Sequence, residues 1–330
     1  MRLHMIRRWA AIAAVVAGLV AVPAPVAQAA AGLEEVTGFG TNPGNLRKFR
    51  YVPSGLAAGR PLVVALHGCT QSAAAYDAEP GWIDVAERMG FALLLPQQQS
   101  ANNLNSCFNW FQPTDTARGS GEALSIKQMV DRMRSDYASD AARIFVTGLS
   151  AGGAMSAVML ATYPEVFAAG AVVAGLPYRC ADTLIQALSC MSPGTNLTPR
   201  QWGDKVRAAS SHPGPWPTIS LWHGTADSTV AYSNLTELME QWTDVHGTDQ
   251  TAEVSDTVNG YPHQGYRDSA GRLVVATYSI TGMNHGQPID PGTGPQNCGT
   301  PAPYILDVNI CAADHIAHFW GLDNAITGED

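Results

Sequence analysis

Residues 143–153 read RIFVTGLSAGG. An apolar, β-branched run through Thr147 stops at a turn in which Ser150 is set among Gly148, Gly152 and Gly153, and small and apolar residues follow up to Pro164. The first part predicts a strand over 143–147 and the last a helix over 154–163. In an open α/β sheet, binding sites lie off the carboxyl ends of the strands. A serine on a sharp strand-to-helix turn therefore projects its hydroxyl into that crevice. Such a turn is strained, so its neighbours must be small or tolerate φ > 0. Gly148-Leu149-Ser150-Ala151-Gly152 fits the G-x-S-x-G nucleophile elbow, and the following helix aims its positive N-terminal end at the site. Taken alone, the pattern also describes any small-residue turn; the legible strand before it and helix after it favour the elbow.

Outward from the elbow, the chain alternates. Strands are predicted over 60–68, 91–96, 168–174, 218–222 and 273–280, and helices over 82–89, 125–137, 235–245 and 312–320. Ile126, Met129, Val130 and Met133 share one helical face. Apolar strands that alternate with helices imply a mostly parallel central sheet with helices on both faces. The stretch 177–217, rich in Pro, Ser and Gly, shows no clear period and reads as an excursion over the active-site end of the sheet, either a cap or a plain surface loop. A chain of 330 residues, 46% hydrophobic and 14% charged, has ample material for a large core. A net charge of −9 without basic blocks argues against nucleic acid as a partner.

The first residues have another use. MRLHMIRRW is a basic lead, AAIAAVVAGLVAV an apolar run, and AQA at 27–29 a small-residue cleavage site. The run is short and followed by Pro23 and Pro25, so a cleaved secretory signal over 1–29 is expected rather than a membrane anchor. The remaining 30–330 is expected to form one catalytic domain, secreted, with no membrane contact after cleavage. All 6 cysteines lie in that part. An even count in an oxidising compartment suggests disulfides, although spacing alone allows many connectivities. Short loops favour Cys180–Cys190 and Cys298–Cys311, which leaves Cys69 with Cys107. No C-x-x-C spacing points to a metal or redox site, and none is expected.

A serine hydroxyl needs a base, and in the elbow arrangement the partners follow in the chain order Ser, acid, His. Of 9 histidines, His285 in TGMNHGQP follows the last apolar strand. His263 in YPHQGY precedes that strand and is the main competitor; His315 and His318 fall on the terminal helix. Asp227 in WHGTADSTV is the first carboxylate after the 218–222 strand, in a better context than Asp204 or Asp244. Its role would be to hold the imidazole tautomer. An oxyanion hole needs two backbone N–H groups. The expected donors are Ala151, directly after the serine, and Cys69 in LHGCT, with Thr70 as second choice. A Cys69–Cys107 bond would hold that donor loop rigid.

LHGCTQSA, SCFNWFQPTDTARGSGEALSI, GLSAGGAMS, WHGTAD, MNHG and ILDVNICAADHIAHFWGL together resemble the secreted poly(3-hydroxybutyrate) depolymerase family of esterases, a group that also includes feruloyl and acetylxylan esterases. The resemblance runs from about Gly38 to Leu322. It implies the α/β-hydrolase fold, with Ser150 as nucleophile, Asp227 as acid, His285 as base, and oxyanion amides at Cys69 and Ala151, in agreement with the residue-level assignment. It implies a serine ester hydrolase without cofactor, acting on aliphatic polyester or its oligomers; a monomer is expected. Feruloyl or acetylxylan ester hydrolysis is the alternative. A secreted binding protein without turnover is a second alternative, and it would predict a broken triad. Many polymer-degrading relatives carry a linker and adsorbing module; the sequence ends soon after Leu322, so weak adsorption to crystalline polyester is expected. Trp110 in SCFNWF and Trp222 are candidate walls for the substrate, unless both are core.

Overall fold

The apolar runs become strands because the chain can bury them on both faces. The structure, a computed structural model, describes residues 32–323; the expected signal segment lies outside them. In chain order the elements are β1 (Glu34–Glu35), β2 (Arg47–Tyr51), β3 (Leu62–Leu66), α1 (Ala73–Ala78), α2 (Trp82–Met89), β4 (Ala92–Gln97), α3 (Pro113–Thr116), α4 (Gly121–Tyr137), β5 (Ile144–Leu149), α5 (Ala151–Thr162) and β6 (Ala169–Val173). There follow α6 (Leu184–Met191), α7 (Pro199–Arg207), β7 (Thr218–Gly224), α8 (Ser233–His246), β8 (Val254–Val258), β9 (Tyr261–Arg267), β10 (Leu273–Ile280), β11 (Gln287–Ile289), β12 (Ile305–Asp307) and α9 (Ala312–Phe319).

One 10-stranded sheet runs in the order β1-β2-β4-β3-β5-β6-β7-β10-β9-β8. The stretch from β4 to β10 is parallel throughout, and antiparallel pairs finish both edges. This is the α/β-hydrolase fold. Side chains of β3 alternate between two cores. Leu62, Val64 and Leu66 pack with Ile126 and Met129 of α4 and with Met155 of α5; Val63 and Ala65 pack with Val85 of α2 and Ile316 of α9. The strand is therefore covered on both sides, as a parallel sheet requires. The described residues belong to one compact unit, Ala31–Asp330, and none of their helices is long and apolar enough to cross a membrane.

Several elements differ from the expectation. Helix α4 begins at Gly121 rather than 125. Its first turn buries a polar residue, Glu122, whose oxygens accept from the backbone N–H of Asn109 (2.8 Å) and the Asn109 amide (2.7 Å). Apolar periodicity cannot reveal a turn held that way. The stretch 177–217 is not a plain loop: it contains α6 and α7. Thr198 and Gln201 form a capping box at the start of α7, and the apolar residues Leu184, Ile185 and Leu188 of α6 face solvent. With its apolar side exposed, α6 leaves no inward stripe for sequence reading to find. The edge hairpin β8–β9 escaped for a related reason, since β8 is largely exposed.

Candidate active site

β5 delivers Ser150 to the carboxyl edge of the sheet in an unusual conformation. Ser150 has φ 58° and ψ −117°, a region that is costly for a residue with a Cβ. The positive φ of the turn falls on the serine itself. Gly152 serves close approach instead. A Cβ there would lie 2.1 Å from the Leu66 carbonyl oxygen, so only glycine lets the first turn of α5 nestle against the end of β3. The strained turn is pinned by the Ser150 N–H to the Val173 carbonyl (2.8 Å) and the Ala154 N–H to the Ser150 carbonyl (2.9 Å).

Two loops at the same edge bring up the partners. His285 Nε2 lies 2.9 Å from Ser150 Oγ, and His285 Nδ1 lies 2.7 Å from Asp227 Oδ2. Asp227 follows β7 and His285 follows β10, and these strands are parallel neighbours. Gly224 ends β7, and a Cβ there would meet the Met283 carbonyl oxygen at 2.2 Å. That contact lets the histidine loop settle on the aspartate loop, where the Ala226 N–H donates to Met283 O (3.0 Å) and the Ser228 N–H to Asn284 Oδ1 (3.0 Å). Asp227 Oδ1 accepts from the backbone N–H groups of Thr229 (2.9 Å) and Val230 (2.8 Å).

Sequence reading missed one member of this cluster. His223, on β7, places Nε2 3.2 Å from Asp227 Oδ2 and 2.9 Å from the Val230 carbonyl. Both neighbours are acceptors, so the ring proton is assigned to Nε2; Nδ1 is buried without a partner. Burial pushes the Asp227 carboxyl upward, but the hydrogen bonds from His223 and His285 and the Val230 amide outweigh it and hold the group well below the usual carboxylate range. The signal in the sequence was the WHG triplet, with a histidine four residues before the aspartate. The competitors lie elsewhere. His263 pairs with Asp256 (2.7 Å), His315 packs near Trp222, and His318 sits beside Asp314 (3.2 Å). Asp204 and Asp244 both hold Arg207 (2.7 and 2.6 Å).

Of the two candidate donors after β3, geometry separates Cys69 from Thr70. Thr70 donates its N–H to the Asn105 carbonyl (2.7 Å), while the Cys69 N–H has no acceptor among the described residues. Ala151 is the first residue of α5, so its N–H has no intrahelical partner either. The preceding His67 fixes the loop: Nδ1 lies 2.7 Å from the Gly68 carbonyl and Nε2 accepts from the Gln98 N–H (3.1 Å). Burial lowers this imidazole to about 4. The disulfides are Cys69–Cys107, Cys180–Cys190 and Cys298–Cys311. The first ties the donor loop to the segment that carries Trp110.

Two hollows open at Ser150. A cleft of about 390 Å³ runs between the 103–111 segment and α6, with Trp110, Phe111, Leu176 and Leu188 on its walls and Ala151 at its floor. A recess of about 110 Å³ is lined by His285, Thr229, Gln71 and Tyr304. Trp110 thus faces the cleft. Trp222 does not line either hollow, which corrects the expectation. It is 1% exposed, and its ring stacks on Tyr278 at 3.7 Å on the far side of the sheet from Leu221. Side chains alternate along a strand, so a tryptophan next to His223 on β7 points into the opposite core.

The chain is similar to known esterases. The family model described as Esterase PHB depolymerase matches residues 46–257. Poly(3-hydroxyalkanoate) depolymerase C of Paucimonas lemoignei is 56% identical over 291 residues, which cover 88% of this chain and 70% of that protein. Feruloyl esterase B of Talaromyces stipitatus is 34% identical over 274 residues, 79% of this chain and 74% of that one. Among solved structures, an acetyl xylan esterase from Aspergillus awamori superposes with a TM-score of 0.74 at 28% identity, covering 88% of this chain and 99% of that chain.

Proposed function

The chain belongs to the PHB depolymerase family of esterases, and we propose that it is a secreted serine ester hydrolase that cleaves aliphatic polyester such as poly(3-hydroxybutyrate), or its oligomers, through an acyl-enzyme. The observation that carries the mechanism is the hydrogen-bonded line from Asp227 through His285 to Ser150. Ser150 Oγ attacks the ester carbonyl as His285 Nε2 takes its proton. Asp227 holds the imidazole in the productive tautomer and stabilises the imidazolium. The negative oxygen rests on the amides of Cys69 and Ala151; one such donor contributes about 2.7–4 kcal/mol in the transition state. His285 then protonates the leaving alcohol, and water repeats the sequence on the acyl-enzyme.

Polyester is preferred to a plant cell-wall ester because likeness is greater to the polyhydroxyalkanoate depolymerase, 56% against 34% for the feruloyl esterase. Three disulfides are consistent with secretion. Ser150→Ala is expected to lower hydrolysis of p-nitrophenyl butyrate by about a million-fold or to background, with an unchanged thermal midpoint. Clearing of poly(3-hydroxybutyrate) films, run beside ferulate release from arabinoxylan and acetate release from acetylxylan, tests the substrate; release from the polysaccharides without clearing of the film transfers the assignment to the alternative.

A further inference from the structure

Ser150 stands where the two hollows meet, and their linings differ in one decisive residue. His285 lines the small recess and not the large cleft, whereas Ala151 lines the cleft and not the recess. When Ser150 Oγ adds to an ester, the carbonyl carbon comes to hold four groups: Oγ, the negative oxygen, the acyl chain and the alkoxy oxygen. The Oγ–C bond has formed, and the Oγ proton has moved to His285 Nε2. The C–O bond to the alkoxy group breaks next, and that proton goes to the departing oxygen. The alkoxy oxygen must therefore lie within reach of His285 Nε2, which puts the leaving alcohol on the recess side. The acyl chain is directed away from the imidazole, over Ala151 and into the cleft.

On this basis, and resting on the ester-hydrolase reading above, we infer that the cleft between residues 103–111 and α6 is the acyl site and the recess under Tyr304 is the alcohol site. The dimensions agree. Trp110, Phe111, Leu176 and Leu188 offer an apolar bed to a carbon chain in a cleft of about 390 Å³, while the recess is the smaller space at about 110 Å³. Leu184 and Leu188 are 60% and 58% exposed where they line the cleft, so a long acyl part continues outward over α6. In a polyester of hydroxyacids the acyl side of the cut bond is the part that carries the free hydroxyl end. The assignment thus fixes polymer polarity: the hydroxyl-terminal stretch lies along α6, and the carboxyl-terminal stretch leaves past Tyr304.

Two matched ester series test this. One varies the acyl group from acetyl to octanoyl on p-nitrophenol; the other varies the alcohol from methyl to benzyl on acetate. Leu188→Trp, at an exposed position, is expected to lower the octanoyl-to-acetyl ratio of kcat/KM by about tenfold or more while leaving the benzyl-to-methyl ratio within about twofold. Tyr304→Ala is expected to shift the benzyl-to-methyl ratio and leave the acyl ratio within about twofold. Exchange of these effects between the two variants overturns the assignment. A direct reading comes from a crystal structure of the wild-type protein phosphonylated at Ser150 by p-nitrophenyl octylphosphonate. The octyl chain is expected between Trp110 and α6, and a chain lying along Thr229 and Tyr304 refutes the inference. Failure of the reagent to label Ser150 at all sinks the ester-hydrolase reading itself and takes the assignment with it.

Discussion

His223 is a buried ring whose only polar work is done through one nitrogen. Its Nε2 faces both the Val230 carbonyl and the Asp227 carboxylate, so it shares Asp227 Oδ2 with His285 as a second imidazole partner. A hydrogen bond to a charged group contributes about 1.5–3 kcal/mol. Replacing His223 by Ala leaves Asp227 Oδ2 with one imidazole donor fewer, while the Thr229 and Val230 amides still hold Oδ1. The expected result is a loss of roughly tenfold to a hundredfold in kcat, with KM for a short ester nearly constant, because the substrate never touches His223. A rise in KM with kcat intact refutes this positioning role. The hydrogen-bonded line of Asp227, His285 and Ser150 is legible because each member follows an apolar strand and the strands can be read. His223 is not, because it lies inside a strand run and looks like an ordinary interior residue until the sheet brings its neighbour Asp227 back beneath it.

The approach of α5 to β3 sets a limit on what the elbow tolerates. Gly152→Ala would place a methyl carbon 2.1 Å from the Leu66 carbonyl oxygen, with backbone on both sides and nothing flexible to yield. A destabilisation of about 3 kcal/mol or more is expected in denaturant melts, and activity should fall with it as Ser150 shifts; a neutral Gly152→Ala would show that the helix can slide. The loop after β3 has its own sensitivity, to acid. His67 is neutral in the fold, lowered by burial to about 4 from its ordinary 6.5. Between those values the unfolded chain binds a proton that the folded chain does not, so the stability His67 contributes is present above the unfolded value and is lost as pH falls towards about 4. The difference in thermal midpoint between the wild type and His67→Gln is expected to shrink as pH drops across that window. A constant difference would show that His67 does not titrate with unfolding. Elements differ in how openly they declare themselves in sequence: β10 is legible to the residue because it is a mostly buried, β-branched and apolar run in the sheet interior, whereas α6 is hidden by an outward-facing apolar side.

At the scale of the molecule, the parallel sheet is what gathers residues far apart in the chain: Ser150 and His285 are separated by 135 positions, His285 and Asp227 by 58. The Cys69–Cys107 bond closes a loop with a sequence separation of 38, and in the chain-entropy model such a closure is worth about 4 kcal/mol. Removing it as Cys69→Ser with Cys107→Ser is expected to lower stability by an amount of that order and, at a temperature where the variant is still folded, to lower kcat further by releasing the Cys69 amide. Retention of full kcat in the folded double variant would show that the loop needs no staple. That same cross-link joins Cys69, whose amide the proposed mechanism sets against the charged oxygen, to the strip of chain bearing Trp110, which the proposed acyl site sets against the carbon skeleton. Under that mechanism, stabilising charge and sorting by size fall to a single mechanical part, and neither could be retuned by moving its backbone without disturbing the other.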